Sequence, residues 1–112
     1  MTNTVKEAED IINSARRKDV RVMVGFIEIF NPAVRKAEEL IKNGEIGSIV
    51  LASSRRVSRW PQRIGDVGVV KDLAIHDIDI IRYITKSEPM EVFAITGSLR
   101  HRFEDYADIL IR

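Results

Sequence analysis

Gly68-Val69-Val70-Lys71-Asp72-Leu73-Ala74-Ile75-His76-Asp77-Ile78-Asp79-Ile80-Ile81-Arg82-Tyr83 reads as one helix carrying a polar stripe. At about 100° per residue, Asp72, His76, Asp79 and Tyr83 return to within roughly a 60° arc. Val69, Val70, Leu73, Ala74, Ile75, Ile78, Ile80, Ile81 and Ile84 fill most of the remaining circumference, so the helix is expected to be largely buried. A solvated helix face is normally filled by Glu, Lys and Arg, whereas Asp and His are mediocre helix formers placed for another reason. That contrast makes the stripe a candidate site. Three other readings stand beside it. The stripe can be the wet face of an amphipathic helix. Asp72 can serve the dipole at the helix start, with His76 paired to it. Asp72 and His76, at i and i+4, can share a metal ion, although the rest of the chain offers no further ligand cluster.

Working outward, Ser87-Glu88-Pro89 ends this helix. Residues 90–96 and 105–111 read as two strands around the polar segment 97–104, where His101 has no evident commitment. Before the helix, residues 48–58 have the β-branched content and length of a strand. Arg55, Arg59 and Arg63 gather at its far end. They are either a solvated rim or an anion site, because guanidinium forks match phosphate oxygens. Trp60-Pro61 marks a loop that either crosses a ligand or simply packs. Asn31 as cap and Pro32 at the first helical position open a helix that Asn43-Gly44 closes. Nearest the N-terminus, Thr4 and Glu7 form a capping box for a helix over residues 5–17, and residues 21–26 follow as a strand. This opening is half of a parallel α/β unit with no partner strand before it.

The chain has 112 residues, which bounds it to one small domain or a piece of a larger one. Eighteen basic and 17 acidic residues leave a net charge of +1, with no global pull toward nucleic acid or membrane. There are no cysteines, so disulfide and thiolate chemistry are excluded. No apolar run approaches the length of a membrane span, and the polar Met1-Thr2-Asn3-Thr4 start lacks a signal-peptide apolar region. A cytoplasmic location is expected. No Gly-x-Gly-x-x-Gly follows any expected strand, so the dinucleotide fingerprint is missing.

Gly68-x-x-x-Asp72-x-x-x-His76-x-x-Asp79 resembles the helix motif of the Gfo/Idh/MocA family of glucose-fructose oxidoreductases and inositol dehydrogenases. Val24-Gly25-Phe26, Phe30-Asn31-Pro32, Gly44-Glu45-Ile46-Gly47 and Pro61-Gln62-Arg63-Ile64-Gly65-Asp66-Val67-Gly68 fall in that family's order, so the resemblance covers nearly the whole chain. Residues 26–32 with Arg63-Ile64-Gly65-Asp66 are most similar to UDP-N-acetylglucosamine 3-dehydrogenases, although Ile29 stands where the family usually has Arg.

The resemblance implies an α/β (α+β) chain. Residues 1–30 would be the last helix-strand unit of a Rossmann domain. Residues 31–112 would be the first half of a substrate domain, a mostly antiparallel sheet with helices packed on one face. It implies an NAD(P)-dependent dehydrogenase acting on a sugar or nucleotide sugar, with His76 as acid/base, Asp72 as its catalytic partner and Asp79 in support at the substrate. Arg55, Arg59 and Arg63 become candidates for a diphosphate. The family's Glu-Lys-Pro motif, whose Lys is catalytic, would fall before Met1, so NAD or NADP is expected in the intact enzyme and not on this chain alone, which is expected to be inactive. The alternative is a shortened, catalytically dead domain kept for assembly or ligand binding. The last residues, Ala107 to Arg112, stop within an expected apolar strand. A homodimer or larger assembly through the sheet is therefore expected, with the stripe outside the contact.

Overall fold

The computed structural model describes residues 2–59 and 66–112. Helix α1 spans Val5–Arg17. Its capping box forms as expected: Glu7 N donates to Thr4 Oγ1 at 3.2 Å, and Glu7 Oε2 accepts from Asn3 N at 2.8 Å and Thr4 N at 2.9 Å. Those amides hold the Glu7 carboxyl below its ordinary pKa. Lys71 Nζ reaches across to Asn3 Oδ1 at 3.0 Å and so ties the start of α1 to the motif helix.

Residues 21–26 belong to no sheet among the described residues and run into a 3₁₀ turn at Ile27–Phe30. The expected strand over 48–58 is likewise unpaired. Both stretches have strand composition, but a strand exists only with a neighbour to take its amides and carbonyls, and composition does not supply one. Helix α2, Pro32–Lys42, starts where expected, with Asn31 Oδ1 accepting from Ala33 N at 3.0 Å. Gly44, at φ 74°, turns the chain beyond its end in a conformation that costs other residues more. Strands β1, Val92–Gly97, and β2, Tyr106–Ile111, form an antiparallel hairpin, in register from Val92 opposite Ile111 to Gly97 opposite Tyr106. Asp105 closes it by accepting from Leu99 N at 2.9 Å and Arg100 N at 2.8 Å, donors that lower its pKa. The backbone of His101, a residue expected to be uncommitted, joins them.

The motif helix does not begin as a regular α-helix. Val70–Ala74 forms a wide π-helical turn that passes into α3, Ile75–Thr85. Such turns within α-helices are frequent at functional sites. Gly68 sits against Glu104: a Cβ on Gly68 would fall 1.9 Å from Glu104 Cδ. That closeness lets Glu104 cap the helix, its carbonyl accepting from Val69 N at 2.9 Å and its carboxylate facing Val70 N at 3.4 Å.

Helices α2 and α3 are pinned through Glu38, a buried carboxylate. Tyr83 Oη donates to it, Lys42 Nζ lies 2.9 Å away and Lys86 Nζ 3.1 Å away. Arg35 donates to the same Tyr83 hydroxyl, and the Lys86 ammonium stands 3.9 Å over the Tyr83 ring. The Tyr83 hydroxyl first, then Lys42, push the Glu38 pKa down from 4.5 to about 2. A depressed carboxyl stabilises the fold in full above 4.5 and loses that contribution as pH falls through about 2. Tyr83→Phe is therefore expected to raise the Glu38 midpoint, measured by carbon-13 NMR titration of its carboxyl. An unmoved midpoint would remove the hydroxyl as the principal cause.

The described chain buries little apolar surface. Its accessible area is 9474 Å², against roughly 6,300 Å² for a folded monomer of this mass. Its radius of gyration is 16.5 Å, against roughly 13 Å for a compact domain of this length. Among the described residues, Ala15 is the buried apolar one.

Candidate active site

Helix α3 has two distinct sides. Asp77, Ile78, Ile81, Arg82 and Thr85 face a groove of about 1120 Å³ between residues 51–59, α3 and β2. Its inner walls are apolar, with Leu51, Ile78, Ile81 and Ile109, and Arg55, Arg59 and Asp72 also line it. His76 and Asp79 do not line this groove. At 100° per residue they fall on the opposite side of the helix, with Tyr83. Arg55, Arg59 and Asp72 thus line a groove that His76 and Asp79 do not. Arg63 and Trp60 lie outside the described residues. Tyr83, a member of the stripe, is committed to Glu38.

The His76 ring meets Phe26 edge to face, with centroids 6.3 Å apart and planes at 89°. Its Nδ1 is buried and has no hydrogen-bond partner among the described residues, and the same holds for Asp79 Oδ2. No hydrogen bond therefore joins Nδ1 to Asp72, one turn earlier. Buried polar atoms are nearly always satisfied, and exceptions concentrate where a group has work to do. The helix thus presents an imidazole and a carboxylate one turn apart, each with an unused polar atom.

The ion pairs of Asp77, next to His76 on α3, and of Glu28 come from a residue not singled out in the sequence. Arg56 Nε donates to both Asp77 carboxylate oxygens at 2.9 Å, and Arg56 Nη2 lies 3.5 Å from Glu28 Oε1. The Asp77 hydrogen bond raises the Arg56 pKa further. Arg55, Arg56 and Arg59 all line the groove, so the local pattern did not set Arg56 apart. Phe26 and Glu28 carried no signal either, because their roles depend on contacts distant in sequence.

The helix starts are already occupied. Thr4 and Glu7 fill that of α1, Asn31 that of α2, and Glu104 the start of the motif helix. A dinucleotide pyrophosphate sits on free amides at such a start, next to a Gly-rich turn that this sequence lacks. The described residues also hold no group of three or more His, Cys, Asp or Glu side chains able to bind a metal ion. No helix among them is long and apolar enough to cross a membrane.

Residues 34–112 match the family model of the GFO/IDH/MocA C-terminal domain. The chain is 32% identical over 111 residues to an uncharacterized oxidoreductase, YrbE, of Bacillus subtilis, covering 95% of this chain and 33% of that protein. It is 33% identical over 92 residues to a myo-inositol 2-dehydrogenase of Thermotoga maritima, covering 79% of this chain and 28% of the relative. It is 27% identical over 94 residues to a UDP-N-acetylglucosamine 3-dehydrogenase of Acidithiobacillus ferrooxidans, covering 84% and 29%. Among solved structures, a putative myo-inositol dehydrogenase from Sinorhizobium meliloti superimposes with a TM-score of 0.74 at 25% identity, over 97% of this chain and 36% of that one. The chain thus spans about a third of the length of the curated relatives it matches. With the family model covering most of its length, and the helix motif of Gly68, Asp72, His76 and Asp79 inside the matched region, the chain belongs to the Gfo/Idh/MocA oxidoreductase family.

Proposed function

We propose that this chain is the substrate-side part of an NAD(P)-dependent dehydrogenase, which moves hydride between a hydroxyl-bearing carbon of a sugar, polyol or nucleotide sugar and nicotinamide. The observation that carries this reading is His76, half-buried on α3 and packed edge to face with Phe26, inside the stretch that matches the family model. Residues 1–30 then complete the nucleotide-binding half, and residues 31–112 begin the substrate domain. The enzyme is cytoplasmic and works as a homodimer or larger assembly through its sheet.

In this reading His76 exchanges the proton of the substrate hydroxyl. With Nδ1 buried, Nε2 is the nitrogen left to do so. Asp72 is its carboxylate partner from the preceding turn. Hydrogen bonds of this kind are often made only once substrate is in place. Asp79 supports the substrate, and Arg55, Arg59 and Arg63 take the diphosphate of a nucleotide sugar. This sequence lacks the Gly-rich turn of a dinucleotide site, so the cofactor is held elsewhere in the enzyme.

Two measurements test this. The protein at its native length, given NAD or NADP with myo-inositol, simple sugars and UDP-N-acetylglucosamine, is expected to reduce nicotinamide with at least one of them. Cofactor binding without turnover of any polyol, sugar or nucleotide sugar would favour the catalytically dead domain. Calorimetry on the 112-residue chain is expected to give no micromolar NAD(H) binding, and such binding would contradict the assignment of the cofactor to another part.

A further inference from the structure

We infer that Arg56 is a positioning residue for His76, an inference that rests on the dehydrogenase reading above. The His76 ring has no polar anchor at Nδ1 among the described residues. The ring that meets it, edge to face, is Phe26. Phe26 lies just before the Ile27–Phe30 turn, so its position against α3 depends on how that turn is held.

Arg56 holds the turn. Its guanidinium takes both oxygens of Asp77, the residue after His76 on α3, and faces Glu28, two residues after Phe26. One side chain thereby ties together the two elements between which the imidazole sits. The side chains of Arg56, Asp77 and Glu28 are 33%, 18% and 30% exposed, so these pairs are partly withdrawn from solvent screening. The geometry calls for arginine. A planar fork can serve two carboxylates from different edges at once, whereas a lysine ammonium has neither the reach nor the fixed directions.

The test uses the protein at its native length. Arg56→Ala is expected to lower kcat on the order of tenfold or more, with KM changed by about twofold at most, since it disturbs the placement of the proton-transfer group. Methylguanidinium in the buffer is expected to restore part of the rate, and Arg56→Lys is expected to remain impaired. Because the effect runs through Phe26, the losses in Arg56→Ala and Phe26→Ala should not add in the double variant.

A second readout needs no turnover. The His76 Hε1 resonance, assigned by its absence in His76→Asn, carries the ring-current shift from Phe26. It is expected to move in the same direction in Phe26→Ala and Arg56→Ala, and to return toward its original place with methylguanidinium. A normal kcat in Arg56→Ala, a loss confined to KM, additive losses with Phe26→Ala, or an unmoved His76 resonance would each overturn the inference. If the parent protein turns over no polyol, sugar or nucleotide sugar, the dehydrogenase reading falls and the resonance alone decides whether Arg56 positions the ring.

Discussion

His76→Ala is expected to lower turnover of the native-length dehydrogenase about 10²-fold or more, the scale of a lost general acid–base group. The side chain is half-buried, so no bulk buffer species easily takes its place. Asp72→Asn is expected to impair turnover as well, by removing the charge that stabilises a protonated imidazole. Asp79→Asn should cost less, because its role is to support the substrate. The effect belongs in kcat and kcat/KM together, as for an interaction made only in the transition state. Steady-state kinetics on the three variants with the best substrate provide the check. Equal losses at Asp79 and His76 would mean that the roles along the stripe are misassigned. Near-normal turnover in His76→Ala would remove the proton-transfer role altogether.

What could be read in the sequence was what nearby residues decide. The α1 capping box, the Asn31-Pro32 start of α2, the end of the motif helix before Ser87 and the two strands of the hairpin each depend on residues a few positions apart, and each is where the pattern put it. Residues 21–26 and 48–58 have the composition of strands, yet a strand also needs an adjacent backbone, and no local pattern reports whether one is present. The π turn at Val70–Ala74 was invisible for a related reason. A 100° count assumes a regular helix, while Glu104, 34 residues from Val70, helps shape the start of this one. At the candidate site, His76 stood out because its residue type is unusual on a helix face. Arg56 did not, because its importance comes from Asp77 and Glu28, which the fold brings to it from opposite directions in sequence.

The hairpin predicts how the protein assembles. Alternation along β1 and β2 puts Phe93, Ile95, Tyr106 and Leu110 on one face around Asp108, with Phe93 directly opposite Leu110 and Ile95 opposite Asp108. All four are exposed, Phe93 and Leu110 at 67% each, while on the other face Ala107 and Ile109 are half-buried and Val92 is exposed. Exposed apolar side chains on one face of a hairpin call for a covering layer. Covering about 1,000 Å² of apolar surface is worth roughly 25 kcal/mol gross, against the ~4–15 kcal/mol that association costs. At micromolar concentration the protein is therefore expected to sediment as a homodimer or larger assembly joined through this face, with His76 and Asp72 outside the contact. Phe93→Lys with Leu110→Lys should shift the sedimentation coefficient to that of the monomer, because two lysines facing each other across the strands would have to be desolvated in the joint. His76→Ala should leave the assembly intact. A wild-type monomer under the same conditions would mean that the exposed face has no copy of itself as a partner.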